Sequence, residues 1–166
     1  MVQVETIRWA DVEEWFDPSQ NGSAPDVVIP GTAVADWEAL LGLIRSEGWR
    51  CEYEFGEEQR PLPSSATELF EPDPEGRGRR LWVWPDPGLE WIVRPWTPDE
   101  VVSDVNLHEI QGQERLDAFC RFLRTLGAAL GKPAFLYPEG AYHDHPPMMA
   151  YELAEDRVVF MAGSWR

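Results

Sequence analysis

The chain has 166 residues, 43% of them hydrophobic, with thirty acids against fourteen bases and a formal charge of −16. That length fits one domain with one sizeable core, and the apolar content argues against a disordered chain. The charge repels phosphate backbones and disfavours nucleic acid, while no apolar run approaches the roughly 20 residues that a membrane helix needs.

Every base except Lys132 is an arginine, a usage compatible with a GC-rich coding sequence. The opening stretch MVQVETIRWADVEEW carries charges throughout and has none of the apolar core of a secretory signal. Cys51 and Cys120 fall on inward-facing positions of their predicted elements, where reduced thiols are expected rather than a disulfide. Together these point to a cytoplasmic protein.

Taken in order, residues 2–9 alternate weakly and suggest a first strand, with Val2, Val4 and Thr6 on one face. Residues 17–26 are a loop by composition, and the short apolar run Val27, Val28, Ile29 is stopped by Pro30 and Gly31. The first thirty residues therefore read either as a hairpin or as an irregular arm over the core. Thr32 is a candidate cap for a helix over 33–47, whose Trp37, Leu40, Leu41 and Ile44 share one face before Gly48 and Trp49 end it. Cys51, Tyr53 and Phe55 alternate with Glu52 and Glu54, the pattern of a half-buried strand. Residues 57–63 are a loop, 64–70 a helical turn or two, and 71–80 a surface loop.

A meander follows. Residues 81–84 form a strand, Asp86, Pro87 and Gly88 a turn, 89–96 the returning strand, and Val101, Ser103, Val105 and Leu107 mark one face of a third. The connections are too short for crossovers, so the pairing is antiparallel. The strongest periodicity in the chain lies in 112–130, where Leu116, Phe119, Cys120, Leu123, Leu126 and Leu130 recur on one helical face. Gly131, Lys132 and Pro133 stop that helix. Strands at 134–137, 148–153 and 158–162 complete the chain, with a polar loop over 139–147. The fold class is α+β: a mostly antiparallel sheet, built from the central three-strand meander and C-terminal strands, with two main helices packed on one face.

The residues contain no GxSxG elbow, no HExxH, no CxxC pair and no Walker or GxGxxG loop, so no cofactor and no catalytic residue is assigned. In an extended segment His143 and His145 point the same way, and with His108 as a third donor they form the one metal-ligand candidate. The other reading of that loop is two solvent-facing histidines. Tryptophan offers a second signal. Trp82 and Trp84 share the strand face opposite Leu81 and Val83, so if the latter face the helices an aromatic pair is left outside among acids. Either that pair belongs to an interface, or the N-terminal arm with Trp9, Trp15 and Phe16 covers it.

In size, charge and element order the chain resembles small immunity or antitoxin-like inhibitors, a general likeness carried by no diagnostic motif. It implies a non-enzymatic protein or adaptor that meets a basic protein partner, with Trp82, Trp84, Glu52, Glu54, Asp99 and Glu100 as contact residues. The alternatives are a metal-binding protein or hydrolase built on His143 and His145, and a carbohydrate-binding module built on the tryptophan face. Partner identity and oligomeric state are not legible.

Overall fold

The structure, a computed structural model, describes residues 6–165. Among them nine strands form one sheet in which every neighbouring pair is antiparallel. In chain order they are β1 (Asp26–Pro30), β2 (Arg50–Phe55), β3 (Glu58–Arg60), β4 (Arg79–Asp86) and β5 (Leu89–Arg94), then β6 (Glu100–Val105), β7 (Ala134–Tyr137), β8 (Met149–Glu152) and β9 (Arg157–Phe160). Their lateral order is β3-β2-β4-β5-β6-β1-β7-β8-β9. The α+β class, the meander β4–β5–β6 and the C-terminal strands stand as the hydrophobic pattern foretold.

Alternation makes one sheet face apolar. Leu81 and Val83 of β4, Trp91 and Val93 of β5, and Val27 and Ile29 of β1 are all fully buried. The helices α3 (Val34–Ser46) and α4 (Gln113–Leu130) cover them with Trp37, Leu41 and Ile44 from the first, and Phe119, Leu123 and Leu126 from the second. At the end of α4, Gly131 takes the left-handed conformation at φ 63°, and the Lys132 amide donates to Gly127 O at 3.0 Å. Gly127 lies inside the helix for a packing reason: the Tyr151 ring occupies the place a Cβ would take.

Several expectations are corrected, among them the loop over 57–63, in which Glu58–Arg60 form the edge strand β3. Residues 1–5 lie outside the described residues, but residues 6–8 form no strand, and the chain goes straight into a single helical turn, α1 (Trp9–Val12), then a 3-10 turn (Glu13–Phe16) and α2 (Pro18–Asn21). The run at Val27–Ile29 is neither hairpin nor arm. It is a central strand, inserted between β6 and β7. Thr32 does not cap α3: its hydroxyl donates to Pro98 O at 2.7 Å, while the Asp36 carboxylate accepts from the Ala33 amide at 2.9 Å.

The N-terminal segment joins the helical layer. Val12 and Phe16 enter the main core, Gln113 of α4 accepts from the Trp9 amide and donates to Ile7 O, and Trp15 meets the Phe160 ring edge-on. Phe160 shares its sheet face with Met149 and Tyr151, the helix side. The expectation that Trp9, Trp15 and Phe16 blanket the opposite face is therefore overturned. Cys51 and Cys120 are free thiols. Burial is the main cause that pushes their pKa values up, to about 11 and about 12, which makes them poor nucleophiles. No helix among the described residues is long and apolar enough to cross a membrane.

Candidate functional site

An antiparallel sheet can leave one face without helices, and among the described residues no α-helix packs on the face opposite α3 and α4, although Val28, Val102 and Ala150 on it are buried. Register decides what that face presents. Glu52 pairs with Trp82, Trp82 with Ile92, Ile92 with Asp104, Asp104 with Asp26, and Asp26 with Tyr137. These six side chains form one lateral row, about 24 Å long at the usual strand spacing. In the next row Glu54 stands beside Arg80, and Arg94 beside Val102, Val28 and Phe135.

Five of the six expected contact residues, Trp82, Trp84, Glu52, Glu54 and Glu100, lie on this face. Asp99 sits in the turn just before β6 and offers its carbonyl to the Thr32 amide. The tryptophans are half-buried. The Arg50 guanidinium lies 4.2 Å from the Trp84 ring centroid, and Arg80 lies 5.5 Å from that of Trp82. Among the described tryptophans it is Trp96 that is exposed, at 64%. It lines a cleft of about 380 Å³ with Glu54, Arg80 and Arg94.

The centre of the face is the carboxylate pair Asp26 and Asp104, directly opposed on β1 and β6. Asp104 accepts from Arg94 at 3.2 Å through Oδ2, whereas its Oδ1 is buried with no partner among the described residues. Asp26 accepts from the Gly140 amide at 2.9 Å. Burial pushes both carboxyls above their ordinary range; Asp104 and Glu139 add to the rise at Asp26, and Arg94 opposes it at both. Glu90, on the same face, is also raised, by burial and by Glu109.

The loop carrying the histidines is anchored here by Gly140 and by Tyr142, whose ring meets those of Tyr137 and His143 at a tilt. Residues 142–144 form a turn, so the extended geometry that would align His143 with His145 is absent. His145 Nδ1 lies 2.8 Å from Pro146 O, and His108 sits in a 3-10 turn (Leu107–Glu109) ahead of α4. Among the described residues no group of three His, Cys, Asp or Glu side chains is arranged to hold a metal ion.

Sequence reasoning missed Asp26, Asp104, Arg94 and Tyr137, because β1 meets β6 and β7 only through long-range pairing. The signal that was available lay in the outward positions of β6, where Glu100 and Asp104 alternate with buried residues. Compared with known proteins, the chain matches no family model, no curated protein and no solved structure.

Proposed function

We propose that this is a non-enzymatic binding protein of the cytoplasm that engages a basic protein through the open face of its sheet, in the manner of an immunity or antitoxin-like inhibitor or adaptor. The observation that carries the reading is the lateral row from Glu52 to Tyr137. It sets carboxylates at both its edge and its centre among Trp82, Ile92 and Tyr137, on a face that no α-helix among the described residues covers. Aromatic side chains ringed by charge are the material of interface hot spots. A molecular charge of −16 steers a cationic partner toward the surface and makes association fast and salt-sensitive. Arg80 and Arg50 over the tryptophan rings favour this reading over sugar stacking, which needs those ring faces bare.

The test compares three immobilised proteins in source lysate at low ionic strength: wild type, an open-face variant (E52Q/E54Q/E100Q), and a helix-side control of equal charge change (E47Q/E114Q/D117N). One basic protein should be retained by wild type and control, be released by moderate salt, and be lost from the open-face variant. Equal retention by all three would reduce the acidity to a general solubilising charge and sink the proposal.

A further inference from the structure

A second cleft lies away from the open face, where the β2–β3 tip meets the 3-10 turn Ala66–Phe70. It encloses about 660 Å³, within the usual range for a small-molecule site. Its walls include Tyr53, Phe55, Pro61, Leu62 and Pro63, and its charged lining has both signs.

The basic side is built before any ligand arrives. Arg60, Arg77 and Arg79 converge on the Phe55 ring, with guanidinium carbons 4.4, 4.4 and 4.6 Å from its centroid. Three like charges around one phenyl ring are costly unless neutralised, and two are: Arg60 pairs with Glu58 at 2.9 Å, and Arg77 with Asp73 at 3.0 Å. Arg79 is different. Its guanidinium donates to two backbone carbonyls, Leu69 O at 3.1 Å and Glu71 O at 2.8 Å, and no carboxylate among the described residues pairs with it. Burial pushes the pKa of the neighbouring Tyr53 phenol up, and the Arg79 charge opposes that rise. Arg45 donates to Pro63 O and so holds the proline wall.

The acidic side is Glu68 and Glu71, which line the same cleft and form no ion pair with Arg79 or with any other described residue. A dianion would be repelled by these glutamates and a dication by the arginines. A molecule carrying one charge of each sign satisfies both walls, and the proline and aromatic lining suits an apolar body between them.

We propose that this cleft binds a small zwitterion, a free amino acid or a dipeptide, with its carboxylate on Arg79 and its ammonium group on Glu68. The proposal does not rest on the open-face reading, although Arg79 also borders the cleft of Trp96.

Isothermal titration calorimetry of the full chain tests it with four probes: L-leucine, leucyl-leucine, N-acetyl-leucine and leucinamide. At least one of the two zwitterions should saturate with a dissociation constant of about 1 mM or tighter. The two single-charge derivatives should bind about tenfold more weakly than leucine or not at all. In R79Q leucine and leucinamide should become equivalent, and in E68Q leucine and N-acetyl-leucine should. R80Q, one residue along on the other sheet face, should keep the wild-type preference. Relative affinity for leucine and leucyl-leucine then separates the amino acid from the dipeptide as the natural source. Absence of saturation by either zwitterion up to about 20 mM, equal affinity for all four probes, or a preference for leucine over leucinamide that survives R79Q would overturn the proposal. E68Q alters an exposed side chain, so its result stands even if R79Q loosens the turn that Arg79 holds.

Discussion

Asp26 and Asp104 face each other on neighbouring strands, with Arg94 bonded to Asp104 and acting on Asp26 only through its charge, and Glu139 adds a further negative charge nearby. Burial raises both folded-state pKa values above those of an unfolded chain. Stability tied to each group is therefore complete below the unfolded value and is lost as pH rises through the folded one. Opposite in sign are Asp73 and Asp156, held down to about 2 by hydrogen bonds from Arg77 and from Arg124 with Tyr151; their contribution is lost only as pH falls toward that value. Asp26→Asn removes one buried charge but keeps an oxygen for the Gly140 amide. Near pH 7 the variant should melt a few degrees above wild type, and near about pH 3.5, below the usual aspartate pKa, the two should coincide. A thermal melt of D26N that is lower than wild type at both pH values would mean that the pair is a net stabiliser through Arg94.

At the scale of elements, the N-terminal segment is tied to α4 through one side chain. Gln113 accepts from the Trp9 amide at 2.6 Å, and donates to Ile7 O and to Asp117 at 2.9 Å each. Its place at the first turn of α4 explains why the segment completes the helical layer instead of crossing to the open face. Gln113→Ala should speed amide exchange over residues 7–12 by about five- to tenfold, the effect of losing roughly 1 kcal/mol of hydrogen bonding. Exchange in the interior of α4 should be unchanged, because Leu116, Phe119 and Leu123 hold that helix from the other side. Unaltered exchange at residues 7–12 would show that Val12 and Phe16 anchor the segment by burial alone. The same layer accounts for β1: with Val27 and Ile29 facing α3 and α4, its outward Asp26 and Val28 are delivered to the open face.

Across the whole molecule, thirty acids and fourteen bases repel one another on balance. Most of the arginines are paired: Arg94 with Asp104, Arg115 with Asp86, Arg124 with Asp156. Exposed pairs are individually worth little, so uncompensated carboxylates dominate the long-range field. Raising ionic strength from about 0.01 to about 0.15 M shortens the screening length from about 30 to about 8 Å. The melting temperature should therefore rise over that interval. A fall would show that specific ion pairs outweigh the net repulsion, and a flat response would show that the two balance.

Local pattern was enough to place most of the elements. The 3.6-residue period of Leu116, Phe119, Leu123 and Leu126 specifies α4, and Gly131 with its positive φ ends it, because each signal acts between residues a turn apart. The strict alternation of Leu81 and Val83 with Trp82 and Trp84 likewise assigns β4 its two faces without reference to the rest of the chain. Tertiary structure alone decided which strands became neighbours. Asp26 and Asp104 are 78 positions apart in the numbering, and nothing in a five-residue run such as Asp26–Pro30 encodes its register against β6 and β7. For the same reason the Arg50 guanidinium over Trp84, the cage around Phe55 and the path of the N-terminal segment had no local signature. Each is set by packing and pairing between distant residues, whose free energy exists only once the whole sheet has assembled.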